Sequence, residues 1–324
     1  MQRINLFYWH GKCPNLGDEA SPYIIGHLST CSIRRQGLPL IRELKKFLKD
    51  LLNFHVPTNF KNIVQSIGNT KKYIVGLGSV IQYSSQSAMV WGAGFQNPQD
   101  TFGGGTVLAV RGPLTDDELM KRGYNKCGVY GDPGLLMPLI YQPKITPPPH
   151  FDFGIIPHFE EIDYIKEMVK DKRIKVIDFR TANIEEAINS ILDCKIIVSS
   201  SLHGVIFSQA YGIPAILFQS FHTSKWQFKN RDYLESVSIA PYEPIFLDSV
   251  DFIDIVLLGQ IYNRYKHVSK IKSSVFDIQK QLLRVAPFKL KKEFCGNELD
   301  NMIEKEKLYL KNRLEVVYSD HTKE

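Results

Sequence analysis

The sequence predicts an α/β protein of two parallel-sheet domains facing a cleft, followed by a helical, basic C-terminal extension. Three observations lead there. Short apolar runs alternate with stretches of helical periodicity, the pattern of parallel βα units. That rhythm breaks at Gln142–His150, where four prolines in nine residues (QPKITPPPH) exclude a helix or a central strand and read as a linker. The 324 residues also exceed one ordinary domain of about 100–200 residues and suit two. The expected divisions are residues 1–141 and 151–260, each a Rossmann-like domain, the linker 142–150 between them, and the extension 261–324.

In chain order, Ile4–Trp9 reads as a first strand, followed by a Gly/Asn turn and a helix beginning near Asp18. Pro39 opens an amphipathic stretch with Leu40, Ile41, Leu44, Phe47, Leu48, Leu51 and Leu52 at helical spacing. Strands follow at Tyr73–Leu77, Ala88–Trp91 and Thr106–Val110, and Pro113 suits the first turn of the next helix. Past the linker come strand Phe153–Pro157, helix Phe159–Lys170, strand Lys175–Phe179 and helix Ile184–Cys194. Strand Lys195–Ser199, helix Gly204–Tyr211 and strand Ala215–Phe218 complete the second series. In such folds ligands bind at the C-terminal ends of the strands.

Composition narrows the function classes. With 44% hydrophobic and 23% charged residues the chain has the balance of a globular protein, not a disordered or fibrous one. No run approaches the roughly 18–20 apolar residues of a membrane-spanning helix, and Met1–Trp9 is too short and polar for a signal peptide. Five dispersed cysteines without a CxxC fit a reducing cytoplasm and offer no zinc site. Glycine spacing matches neither a dinucleotide fingerprint nor a P-loop, and GxSxG is absent. No metal and no cofactor are expected.

Candidate site residues cluster after strands. In CPNLGDE, Asn15 and Asp18 read either as helix caps or as cleft groups, Asp18 accepting a proton from a sugar hydroxyl and Asn15 and Glu19 contacting an acceptor. Arg111 ends a strand just before Pro113 and reads either as a surface arginine or as a clamp on a carboxylate or phosphate. The most informative run is KIIVSSSLHG: a strand delivers Ser200, Ser201, Leu202, His203 and Gly204 to a helix N-terminus, where hydroxyls, free N–H groups and the helix dipole make an anion site. His203 is placed there to move a proton near neutral pH. The stretch Lys225–Tyr233, with Lys225 and Lys229, reads as a phosphate or sugar contact or as a solvated helix face; His158 ends the first strand of the second domain.

Together these motifs resemble the polysaccharide pyruvyl transferase family. The resemblance is carried in order by NLGDE (15–19), WGAGF (91–95), VRGPLT (110–115), YGDPGLL (130–136), GIIPH (154–158), SSLHG (200–204), AYGIP (210–214) and KWQFKNRDY (225–233), spanning about residues 4–240. It implies the GT-B-like arrangement of two Rossmann domains and transfer of the pyruvyl carbons of phosphoenolpyruvate to a sugar diol, giving a cyclic ketal and phosphate in capsular or exopolysaccharide synthesis. It also implies that Arg111 binds the donor's carboxylate or phosphate, that His203 is the general acid, and that Leu202 contributes its backbone. Many members carry an arginine where this chain has Ser201, so a second cationic contact is expected from Lys225, Lys229 or His158, or from hydroxyl and N–H donors. The chemistry needs an acid over C3 of the enol (His203), cations for a trianionic donor, and a base for the hydroxyl, for which Asp18 is the choice.

Residues 261–292 hold nine Lys/Arg against Asp277 alone, a net of +8 in a chain of +6, so the remainder sums to −2. Ile271, Val275, Ile278, Leu282 and Leu283 recur at helical spacing. Such a helix reads either as a contact with an anionic membrane, suiting an acceptor glycan on a lipid diphosphate carrier at the inner membrane face, or as a solvated helix packed on the core. No nucleic-acid module is present. Two other readings stand beside the transferase: a GT-B glycosyltransferase using a nucleotide sugar, and a non-catalytic glycan-binding subunit of a polysaccharide assembly complex.

Overall fold

The computed structural model describes residues 3–11, 13–38, 52, 71–143, 148–219, 227–247 and 252–318. The helix expected after Pro39 lies almost wholly outside these residues, as does Lys225.

Two five-stranded parallel sheets and ten α-helices make up the described chain, a mixed α/β architecture consistent with two Rossmann-like domains. The first sheet runs β2-β1-β3-β4-β5, from β1 (Arg3–Phe7), β2 (Ser32–Arg35), β3 (Tyr73–Val75), β4 (Ala88–Trp91) and β5 (Thr106–Ala109). Helix α1 (Leu16–Leu28) crosses from β1 to β2, and α2 (Pro113–Lys121) follows β5 with its proline in the first turn. β2 has no counterpart among the expected strands. It is an edge strand, SIRR, with mostly exposed side chains, so it lacks the apolar run that marks a buried strand.

The second sheet runs β10-β9-β8-β6-β7, from β6 (Phe151–Ile156), β7 (Ile174–Val176), β8 (Cys194–Ser199), β9 (Ala215–Gln219) and β10 (Ile245–Phe246). Between them lie α4 (Ile162–Met168), α5 (Ile184–Leu192), α6 (Leu202–Ala210) and α7 (Gln227–Ser236); a short 3₁₀ turn at Pro133–Leu136 and α3 (Met137–Ile140) precede the sheet. The central strands β8 and β9 read KIIVS and AILFQ because both faces are covered by helices. One continuous apolar core joins the two sheets, from Ile4 and Leu6 through Leu135 and Leu136 to Ile197 and Phe218.

The C-terminal segment is helical, as α8 (Ile255–Tyr265), α9 (Val275–Arg284) and α10 (Gly296–Tyr318). The apolar stripe of α9 faces the protein rather than a bilayer: Ile278, Leu282 and Leu283 are buried in the main core. The Trp91 indole donates to the carbonyl of Leu282 at 2.9 Å, and the Gln279 amide donates to the carbonyl of Leu135 at 2.9 Å. Arg313 on α10 reaches the carbonyls of Leu192 and Cys194 at the second sheet. These helices therefore strap both sheets, and eight of the nine basic side chains of 261–292 remain exposed. No helix among the described residues is long and apolar enough to cross a membrane.

Candidate functional site

A cavity of about 330 Å³ opens where the C-terminal ends of strands from both sheets meet. Trp9, Asn15, Asp18, Ser79 and Gln96 come from the first sheet's loops, and His158, Phe179, Ser201, Leu202, His203 and Lys229 from the second half. Six sequence-predicted site residues thus share one wall-to-wall space: Asn15, Asp18, His158, Ser201, Leu202 and His203; Lys229 makes a seventh.

Two helices aim their N-termini at this cavity. Asn15 caps α1, accepting from the N–H of Gly17 at 3.2 Å while its amide donates to Asp18 Oδ2 at 3.0 Å. Ser201 begins α6 without a side-chain cap. The N–H groups of Gly204 and Val205 return to the Ser201 carbonyl, and those of Leu202 and His203, in the first turn, have no intrahelical acceptor. Such an end attracts anions through its N–H groups and the helix dipole. Lys229 lines the same cavity.

His203 packs against the bare α-carbon of Gly17 with its Nδ1 side, and its ring stacks on Phe207 at 5.8 Å between centroids. Its Nε2 is buried, has no hydrogen-bond partner, and lies 3.9 Å from Oδ2 of Asp132. Burial, together with the nearby charges of Lys229 and Arg111, pushes the imidazole pKa down to about 3. Burial likewise lifts Asp18 to about 7, against the hydrogen bond from Asn15 and the charge of Lys229. Lys229 falls to about 7, through burial first and Arg111 second, with Asp18 and Glu161 opposing. Near neutral pH the cavity therefore holds a neutral histidine together with an acid and an amine that are both poised to change charge.

Four expected contacts lie elsewhere. Arg111 is fully buried and does not line the cavity: Nε donates to Asp232 Oδ2 at 3.0 Å, Nη1 to Ser79 Oγ at 2.8 Å, and Nη2 to the carbonyl of Phe95. Every guanidinium nitrogen is engaged by the protein, so in this structure the expected donor contact of Arg111 reaches the cavity only through Ser79. Ser200 donates to Glu161 at 2.7 Å and accepts from the N–H of His158 at 2.8 Å, so its hydroxyl fixes the loop after β6. Gly204 packs its α-carbon on Ser199 Oγ, where a side chain would not fit. Glu19 pairs with His10 at 3.0 Å, outside the cavity.

Comparison with known proteins finds a family match over one span of the chain. Residues 79–220 match the polysaccharide pyruvyl transferase family model. The resemblance read from the motifs is thereby shown over that span. The chain is also similar to an uncharacterized protein of Acanthamoeba polyphaga mimivirus, 27% identical over 195 residues, which is 59% of this chain and 63% of that protein. The pyruvyl transferase match contains His158, Ser201, Leu202, His203 and the buried Arg111 and Asp132; Asn15, Asp18 and Lys229 line the cavity from outside it.

Asp132, in the YGDPGLL motif, stands beside His203 without being among the residues the sequence singles out. Its visible signal, an Asp before Pro-Gly, is that of a helix cap, and Oδ1 indeed caps the Pro133–Leu136 turn by accepting from Gly134 N–H at 2.8 Å. Only the fold reveals where the second oxygen points.

Proposed function

We propose that this chain is a pyruvyl transferase that moves the three-carbon unit of phosphoenolpyruvate onto two hydroxyls of a glycan, in a GT-B-like arrangement of its two sheet domains. The observation that carries the reading is the convergence of His203, Asp18 and Lys229, with the open end of α6, on one cavity. The donor is a trianion. It is matched by Lys229, by the N–H groups of Leu202 and His203, and by His158, without the arginine that Ser201 replaces.

The cavity's electrostatics give the order of events. The imidazole stays neutral because it is desolvated beside Lys229 and Arg111. A bound phosphate and carboxylate offset those cations, raise the imidazole's proton affinity and so charge the acid when its substrate is present. His203 then protonates C3 of the enol, and C2 takes on oxocarbenium character. One sugar hydroxyl attacks C2 and passes its proton to Asp18, which is ionised above a pH of about 7. Phosphate leaves with the electrons of its C–O bond, the second hydroxyl closes the ketal, and its proton goes to the departing phosphate.

The acceptor is proposed to be a glycan, on a lipid diphosphate carrier. The exposed basic face of residues 261–292 would approach the anionic membrane by charge alone, because the apolar stripe is committed to the core. Incubation of the protein with phosphoenolpyruvate and lipid-linked oligosaccharides, read by phosphate release and mass spectrometry, tests the reaction. The expected product gains one pyruvate less one water. Phosphate-free turnover with nucleotide release from a nucleotide sugar would replace this reading with a glycosyltransferase.

A further inference from the structure

Two buried polar atoms face each other behind the cavity. Asp132 Oδ2 and His203 Nε2 each lack a hydrogen-bond partner, and they stand 3.9 Å apart. Asp132 is fully buried, and its other oxygen is committed to Gly134 N–H. An unpartnered carboxylate oxygen in an interior costs several kcal/mol in principle, so its persistence calls for a partner. The single facing group is the imidazole edge that points away from Gly17.

Resting on the pyruvyl transferase reading, we propose that Asp132 is a positioning residue that holds His203 with Nε2–H directed at its carboxylate, so that Nδ1 is the nitrogen that delivers the proton to the donor. At 3.9 Å the pair is beyond hydrogen-bond reach. Catalytic hydrogen bonds commonly lengthen in empty sites and tighten in the substrate complex. A carboxylate behind a histidine fixes its tautomer and stabilises the imidazolium once it forms, as in the serine-protease triad.

The proton balance closes. With the donor bound, the imidazolium carries a proton on each nitrogen, Nε2–H on Asp132 and Nδ1–H toward C3. Transfer of the Nδ1 proton to C3 breaks the carbon–carbon π bond and leaves a neutral imidazole still anchored through Nε2–H. Solvent restores the Nδ1 proton before the next turnover, as Asp18 returns to solvent the proton it took from the sugar. Lys229 on α7 and Arg111 after β5 act on His203, Arg111 and Asp232 on α7 act on Asp132, and Tyr233 on α7 is coupled to Asp132; Asp18 on α1 and Glu161 act on Lys229 in turn. Burial, opposed by Gly134 N–H and Arg111, lifts the Asp132 carboxyl to about 7, in the opposite direction to His203. The additional proton taken up near neutral pH is shared by the couple, and an anionic donor draws it onto the ring.

The test uses Asp132→Asn, which keeps the Oδ1 acceptor for Gly134 N–H and turns the oxygen facing His203 into an uncharged N–H donor. Expected are a native circular-dichroism spectrum, a kcat lower by at least about 100-fold, a KM for phosphoenolpyruvate within about threefold of wild type, and a shifted acid limb of the kcat–pH profile. Independently of turnover, nitrogen-15 spectra of the labelled imidazole are expected to report the Nε2–H tautomer in the wild type and a loss of that tautomer in the variant. A variant with wild-type kcat and pH profile, or an unchanged tautomer, overturns the proposal. If the wild type releases no phosphate from phosphoenolpyruvate while the tautomer does depend on Asp132, the pairing stands and the reaction falls.

Discussion

Gly17 and His203 occupy one another's space: a β-carbon on Gly17 would overlap Nδ1, Cε1 and Cγ of the imidazole. The α1 N-terminus and the α6 N-terminus, from different sheets, come this close because residue 17 has no side chain. Gly17→Ala should therefore expel His203 from its stacked position on Phe207. The expected result is a fall in kcat of at least about 100-fold, the typical worth of a positioned proton donor, with a thermal transition only a few degrees lower. Wild-type turnover in Gly17→Ala would show that the contact is not needed for the acid.

Arg111 and Asp232 are both fully buried, with Arg111 Nη2 3.0 Å from Asp232 Oδ2 and Thr115 donating to the same carboxylate. Removing one member of such a pair strands the other's charge in the interior and costs about 3–5 kcal/mol. At about 2–4 °C per kcal/mol, Arg111→Ala should lose on the order of 6–20 °C of thermal stability. Differential scanning calorimetry checks this. An unchanged transition with a strongly raised KM for phosphoenolpyruvate would return Arg111 to the donor site.

Under the proposed function, Lys229 sets the pH dependence of donor binding. Its folded-state pKa is lowered from 10.5 to about 7, so the ammonium is present below that value and is lost as pH rises through it. Phosphoenolpyruvate KM should climb above neutrality, approaching about tenfold per pH unit if one protonated group governs binding. Lys229→Met, which keeps the side chain's length, should raise KM by roughly 10–100-fold at low pH, the worth of a charge-assisted hydrogen bond, and flatten that climb. A wild-type KM that is level across neutrality would remove Lys229 from the donor contact.

The local motifs made much of this site legible. Asn15, Asp18, His158, Ser201, Leu202, His203 and Lys229 each follow a strand or begin a helix, and the parallel topology gathers those ends on one cavity. Position along the chain does not fix direction, however. Arg111 sits at a strand end like the others, yet its guanidinium turns inward to Asp232, a partner 121 residues away that no local pattern reveals. Asp132 gives the converse case, a cap by sequence whose second oxygen turns toward His203. The α9 stripe was visible as an apolar face, but periodicity cannot say whether a membrane or Trp91, Gly131 and Leu135 will cover it.

The strap itself makes the last prediction. Gln279 on α9 donates from one amide nitrogen to Leu135 at 2.9 Å and to Glu306 Oε1 on α10 at 2.9 Å, while Gln279 Oε1 and Glu306 Oε2 are buried without partners. A proton on Oε2 would let it donate to the Gln279 oxygen and satisfy both. Burial raises Glu306 from 4.5 to about 7. The folded state then binds this proton more tightly than the unfolded chain does. Its contribution is fully present below a pH of about 4.5 and is lost as pH rises through about 7. Integrated over that window, the loss is on the order of 3 kcal/mol. Glu306→Gln reproduces the protonated carboxyl's hydrogen bonding with an amide that does not titrate. Asp18 and Asp132 titrate in the same range, so the measurement is the difference between wild type and variant in urea midpoint. The two should coincide only at or below a pH of about 4.5, and the variant should be the more stable above neutrality. Equal midpoints in alkaline buffer would mean that Glu306 is already ionised and solvated in the native state.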